Sequence, residues 1–513
     1  MEKYVGFTKR EFCAAAFGLP LSTIVGGGAL AQDLETLSIA FPVDVQSWDP
    51  TSVTFPAGQS IYKCVFDSPM HYSTEQKLQP KQIKDRKWLD EANTRLEITL
   101  HDGILFHDGS QLTMEDVRYS WIERPQKDRR LAIGGMIPDM KDIQIVSPTK
   151  GVIIFSKPAP SVEYYLGFLA AYIIPKAYHL RVGNEGFLEK PIGAGPYKLV
   201  DYQRGSRIVL EAFDRYWAGV PSIKKVTFQI LPEPTARVAA IESGRVDIAT
   251  QLPFREAVRL RSNPNLTSDI YDLSEVFLLQ VPSYVEIYKN KDVRAALHLS
   301  IDKQALSKSF FNGVAKPLSV LATSGSSSDV PGYNFPYDKA RAIASLKKAG
   351  YDSAKPLQIT LQATNGTYPN DYLIARALVA MWKQVGINAT LSEITIAKYL
   401  ELNHSQKLEG VMLYSWANPT GDPENFAGRI LNPDLRFAAW RDAALAPRIA
   451  ELYAMKLTPQ RIEAYKKLQI EASENSWSIP LLQTVGNVVS KKGIAVPKYA
   501  AGYILPAEFA RRN

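Results

Sequence analysis

Few of this chain's residues are arranged in patterns that perform chemistry. The six histidines, His71, His101, His107, His179, His298 and His404, include no i,i+4 pair of the kind that places two metal ligands on one helical face. No G-x-S-x-G elbow presents a serine nucleophile, no H-E-x-x-H holds zinc, and there is neither a P-loop nor a G-x-G-x-x-G phosphate cradle. Gly193-Ala194-Gly195 is a fragment of the last, but Pro196 stands where a phosphate-binding helix would begin. His101 and His107 each precede Asp-Gly and read as turn residues. Asp422 and Glu424 are spaced like a general acid and base, yet on a turn they more simply cap backbone N–H groups. The pattern points away from catalysis and from a resident metal or cofactor. A secreted hydrolase with carboxylates far apart in sequence is the enzymatic alternative.

Binding is what the composition supports. With 513 residues the chain is long enough for two or three domains at roughly 100–200 residues each. Hydrophobic residues make up 46% and charged residues 22%, enough for packed cores. The 60 Lys and Arg against 52 Asp and Glu give +8, with both signs mixed along the chain. Nucleic-acid binding would need a concentrated basic surface, which this distribution does not provide.

The N-terminus reads as an export signal. Lys9 and Arg10 precede an apolar stretch from Phe12 to Leu30, closed by Ala29-Leu30-Ala31, so cleavage is expected between Ala31 and Gln32. Pro20 and Gly26-Gly27-Gly28 break this stretch too often for a helix spanning a bilayer of about 30 Å. Lys9 in place of an arginine argues against the twin-arginine route, and no lipobox precedes Cys13. Only Cys64 then remains, so the mature chain has no internal disulfide and is expected in the periplasm of a Gram-negative cell, as a monomer.

The elements that would position a site follow from periodicity. Leu37, Ile39 and Phe41 alternate on one face of an expected strand, and Arg95–Leu100 alternates again before His101-Asp102-Gly103, with a further apolar strand at Ile104–Phe106. Thr113-Met114-Glu115-Asp116 is a capping box that opens a helix. A strand from Ile223, a helix over 234–243 and a strand from Val246 form one βαβ unit. Leu357–Ala363, a helix over 371–385 with Leu373, Ile374, Ala377, Leu378 and Met381 at helical spacing, and a strand from Ile387 form a second. A short helix near Lys398–Leu402 and a strand over 411–416 follow. In open αβ sheets, ligands bind beyond the carboxyl ends of the strands. The expected cleft walls are therefore loops 43–58, 364–369 and 417–424.

Several stretches resemble the family 5 extracellular solute-binding proteins, the peptide- and nickel-type receptors of ABC importers. They include "LEITLHDGILFHDGSQLTMEDVRYSW" (96–121), "PIGAGPYKL" (191–199), "DRYWAGVPSIKKVTFQILPEPTARVAAIESGRVDI" (214–248), "DVRAALHLSIDKQAL" (292–306), "ALVAMWKQVGINATL" (377–391) and "SWANPTGDPENF" (415–426). The resemblance implies an α/β, two-lobed periplasmic-binding-protein fold. Lobe I would comprise 32–253 plus 484–513, with an inserted subdomain at about 66–185, and lobe II would comprise 254–483. Two crossings between the lobes would form a hinge that closes over a ligand and delivers it to permease subunits.

In the family's peptide receptors an aspartate three residues before the acid of the D/E-P element pairs with the peptide amine. Here the element is Asp422-Pro423 and the corresponding residue is Pro419, which holds no ammonium. This favours a small polar solute such as a sugar conjugate, an opine-like compound or a sugar phosphate, with a di- or oligopeptide as the alternative. Trp416 is the candidate stacking ring. Asn418, Thr420, the Gly421 N–H and Asn365 are the candidate hydrogen-bonding groups, and Thr54 or Phe55 the opposite wall. The competing roles are core packing for Trp416 and turn formation for Asn418.

Overall fold

The computed structural model describes residues 35–52, 58–128, 131–137, 139–168 and 171–511. The export signal and its cleavage point, like Thr54 and Phe55, lie outside the described residues. Leu37, Ile39, Ala40 and Phe41 are at most 2% exposed, so the strand Thr36–Phe41 is covered on both faces and not on one. The reason is its place in the sheet interior: it pairs in parallel with Lys225–Ile230 on one side and with Ile248–Thr250 on the other. The βαβ unit of strand Lys225–Ile230, helix Pro234–Glu242 and strand Ile248–Thr250 therefore straddles the chain's first strand. Fully buried strands of this kind are usual where parallel strands are sandwiched between layers.

The second unit is a direct one. Leu357–Ala363 and Ile387–Glu393 pair in parallel throughout, and Val411–Ala417 joins the other edge of Leu357–Ala363. The connecting helix Asp371–Lys383 buries Ile374, Ala375, Leu378 and Trp382. Its core face is centred on the i,i+4 ladder 374–378–382, and Leu373, expected on that face, is 48% exposed.

Two long strands join these units. Leu266–Gln280 and Ser478–Lys491 run antiparallel to each other, and among the described residues they sit at the middle of the main sheet. On one side lie Val411–Ala417, Leu357–Ala363 and Ile387–Glu393; on the other lie Ile248–Thr250, Thr36–Phe41, Lys225–Ile230, Arg207–Ala212 and Tyr197–Gln203. Pairing between the long strands breaks between Asp272 and Val276.

A separate antiparallel sheet of Ile83–Trp88, Arg95–Leu100, Lys150–Phe155 and Met140–Ser147 occupies the 66–185 region. Asp116 accepts from both the N–H (2.8 Å) and the hydroxyl (3.0 Å) of Thr113, which fixes the start of the helix Met114–Arg118. The expected strand at Ile104–Phe106 does not form. Leu105 makes a single bridge to Gln111 while Ile104 and Phe106 are buried, so this segment is a turn anchored by its apolar side chains. The 191–199 motif packs against the helix Gln59–Phe66 and the turn at His107. The Gly193 N–H donates to Nδ1 of His107 (3.3 Å), whose Nε2 meets the Gly195 carbonyl at 3.0 Å. Burial holds this imidazole neutral by lowering its pKa to about 4.

Candidate functional site

Strand register shows where loops converge. Ala417, the last residue of Val411–Ala417, pairs with Glu275. The carboxyl ends of the parallel strands on that side therefore point at the middle of Leu266–Gln280. Ile248–Thr250 runs antiparallel to Ser478–Lys491 from Ser490 to Val488, so its carboxyl end points toward Gly486, near the middle of the other long strand. The two sets of strand ends thus face the same level of the sheet, the level where the long strands lose their pairing. Strand ends that converge in this way are where open αβ sheets bind ligands.

The first wall is the loop after Val411–Ala417. Asn418 is buried and organises it. Its side-chain oxygen accepts from the Thr420 hydroxyl (2.6 Å), the Gly421 N–H (3.1 Å) and the Asn425 amide (3.2 Å), and its own amide donates to the Asp422 carbonyl (2.9 Å). Ser274 ties this loop to the long strand by donating its hydroxyl to the Asn418 carbonyl (2.6 Å) and accepting the Asn418 N–H (2.6 Å). Thr420 also accepts the Asp422 N–H (3.2 Å). Gly421, at φ +70°, turns the chain where a side chain would be strained. Asn418, Thr420 and Gly421 therefore spend these polar groups on each other.

Asp422 caps the short turn Pro423–Asn425 by accepting the Glu424 N–H (2.8 Å). It also forms a bidentate ion pair with Arg461 on the helix Pro459–Glu474, at 2.7 and 3.0 Å, with both side chains buried. Arg461 continues to the Ser161 hydroxyl (2.7 Å). Glu424 accepts from the Tyr165 hydroxyl and pairs with Arg429 (3.4 Å), which itself donates to that hydroxyl (2.8 Å). Gln76 donates to the Asn418 carbonyl (3.3 Å). A buried polar network thus ties the 66–185 region to the loop and helix that follow Val411–Ala417. Its partners lie up to 342 residues apart in sequence, and no local spacing predicts them.

The second wall is loop 364–370, wrapped around the buried Asp371. That carboxylate accepts from the Thr364 hydroxyl (2.7 Å) and from the N–H groups of Gly366, Thr367, Tyr368 and Tyr372 (2.8–3.1 Å). Asn365 is exposed and donates to Glu393 (3.3 Å). The loop carries Tyr368 to an edge-on contact with Tyr414, ring centroids 5.8 Å apart. Trp416 is half-buried, donates to the Asn425 carbonyl (2.7 Å) and meets Phe437 edge-on. An aromatic surface of Tyr368, Tyr414 and Trp416 results. Sequence reading singled out Trp416, at the end of its strand, and neither tyrosine, whose strand and loop positions carry no distinguishing spacing. A cavity of about 300 Å³ lined by Ser47, Asp49, Leu131, His179 and Phe187 lies elsewhere, beside segment 43–52. No group of three or more His, Cys, Asp or Glu arranged to hold a metal occurs among the described residues.

The profile of the bacterial extracellular solute-binding proteins, family 5, matches residues 77–434. The chain belongs to this family. Its members are two-lobed receptors that bind small ligands for ABC permeases, and they are not enzymes. It is similar to the glutathione-binding protein GsiB of Pectobacterium atrosepticum, 25% identical over 408 residues that cover 77% of this chain and 76% of the relative. By structure it is similar to a dipeptide-binding protein of Pseudoalteromonas sp. SM9913 in complex with Met-Leu, with TM-score 0.82, 17% identity and coverage of 93% of this chain and 100% of that one. It is also similar to the PBP AgaA of A. tumefaciens R10 in complex with agropinic acid, with TM-score 0.80, 20% identity and coverage of 93% and 99%. No helix among the described residues is long and apolar enough to cross a membrane.

The acid of the D-P element, Asp422, is buried and held by Arg461. At position 419 the chain presents a proline in a loop closed by its own hydrogen bonds.

Proposed function

We propose that the chain is a periplasmic receptor that captures a small polar solute between its lobes and delivers it unchanged to the permease of an ABC importer. In this reading residues 1–31 are the export signal. Lobe I is 32–253 with 484–513, lobe II is 254–483, and the long strands Leu266–Gln280 and Ser478–Lys491 form the hinge. The solute is a sugar conjugate, an opine-like compound or a sugar phosphate, held without an aspartate at position 419. The observation that carries this is the loop 418–425: Pro419 offers no charge, and Asp422 is already committed to Arg461. Trp416 supplies a stacking face, while Asn418, Thr420 and Gly421 shape the wall that presents it. Asn365 completes the rim.

The AgaA–agropinic acid complex supports an opine-like solute as compatible with this fold. The relatives named for glutathione and dipeptides favour the second reading, a short peptide held by other groups.

Native mass spectrometry of receptor purified from its own periplasm tests the reading, because a closed receptor retains its solute through purification. Trp416→Ala is expected to weaken binding of the retained molecule about tenfold, through lost aromatic contact. Unchanged affinity would remove Trp416 from the site. A retained peptide with a free amino terminus would decide for the second reading.

A further inference from the structure

Glu275 shares with Asp67 and Asp116 the lack of a cation partner among the described residues, but it alone of the three lies at the level where the strand ends converge. Asp422 is paired with Arg461, Glu424 with Arg429, Asp49 with Arg124 and Glu163 with Arg86. Asp371 is filled by a hydroxyl and backbone N–H groups. Glu275 meets only hydroxyls: Ser415 donates to one oxygen and Thr484 to the other at 3.4 Å. No Lys, Arg or His among the described residues lies within ion-pair distance of it. An ionised carboxylate has about four acceptor sites, so these two donors leave it under-filled.

Its position makes that deficit informative. Glu275 lies in the break between Asp272 and Val276, opposite Ala417 and next to Ser274, which holds Asn418. This is the level to which both sets of strand ends point. The side chain is half-buried, so its surroundings are largely protein. Tyr368 and Tyr414 are near enough that the Glu275 charge adds to the burial that raises their hydroxyl pKa values, Tyr414 to about 12. Burial also raises the carboxyl of Glu275 itself, against the pull of Ser415 and Thr484. A carboxylate in a desolvated place is costly unless a cation joins it, and tyrosine faces favour cations as well.

We propose that Glu275 anchors a positively charged group of the solute, an ammonium or guanidinium, seated against its carboxylate beside the ring of Tyr368, which meets Phe277 on the same face of the strand. The site does from the hinge strand what Pro419 cannot do from the loop. This rests on the proposed function, because it assumes that the crevice at the hinge is the binding site.

The test is a thermal-shift and calorimetric screen of wild type and Glu275→Gln against one defined set of solutes. The set holds matched pairs that differ only in a cation: glucosamine and glucose, glutathione and N-acetylglutathione, arginine-derived opines and their citrulline counterparts. The amide keeps the side chain's shape and its hydroxyl contacts, so the variant should melt close to wild type. The expected result is that wild type is stabilised by cation-bearing members only, and that Glu275→Gln binds them about 30-fold or more weakly, as when one partner of a desolvated charge pair is removed. Glu275→Asp should recover part of that loss. A bound solute without a cation, or equal affinity in Glu275→Gln, overturns the anchor while leaving the receptor reading intact. If nothing in the set and nothing retained from the periplasm binds wild type, the receptor reading fails and the anchor falls with it.

Discussion

Arg461→Met is expected to lower folding stability by about 3–5 kcal/mol, read as a shift in the urea midpoint. The wild-type guanidinium is 1% exposed and makes two bonds to Asp422, one to Ser161 and one to the Leu452 carbonyl. Removing it leaves the Asp422 carboxylate buried with only the Glu424 N–H for company. The cost arises from that stranded charge more than from the lost attraction. The double variant Asp422→Asn/Arg461→Met should therefore recover most of the stability, since an amide needs no counter-ion and can still accept the capping N–H. If the double variant is as unstable as the single one, packing and not charge sets the cost. The same substitution also cuts the link to Ser161 in the 66–185 region.

Gly193→Ala is expected to cost about 3 kcal/mol or more, or to prevent folding. A Cβ at Gly193 would lie 2.1 Å from the Val65 carbonyl oxygen and 2.7 Å from the Phe66 Cα, and one at Gly195 would lie 2.4 Å from the Cys64 carbonyl. These neighbours are backbone atoms of a helix whose residues are all buried, so they cannot turn aside as a side chain would. The Gly-Ala-Gly of the 191–199 motif is thus a close-approach device and not a phosphate cradle. Unfolding curves for Gly193→Ala that overlay wild type would contradict this. An equal substitution at Gly205, where an added Cβ meets nothing within 4 Å, tests φ strain alone because its φ is +70°.

How much of this was legible in sequence depended on the range over which a signal acts. Strand Leu357–Ala363 and its helix could be read from periodicity, and the Thr113–Asp116 capping box from a four-residue pattern, because the forces involved are local. The insertion of Thr36–Phe41 between Lys225–Ile230 and Ile248–Thr250 could not, because which parallel strands become neighbours is settled by tertiary packing. The same holds for the polar links. Arg461 with Asp422 and Tyr165 with Glu424 join distant segments, and neither partner announces the other. Trp416 was singled out because it stands next to a strand end, whereas Glu275 lies mid-strand among apolar residues and its surroundings appear only when the register is known. Leu373 looked like core from its spacing, but the helix turns the 374–378–382 ladder inward, since Trp382 offers more apolar surface to bury.

The claim on which the rest depends is that the two long strands act as a hinge and that the lobes close around the solute. Small-angle X-ray scattering measures this directly, on receptor carrying its retained solute and on the same preparation after the solute has been stripped by partial unfolding and refolding. The account predicts a larger radius of gyration for the stripped protein and its return to the smaller value when the solute is added back. Superimposable profiles in the two states would contradict it.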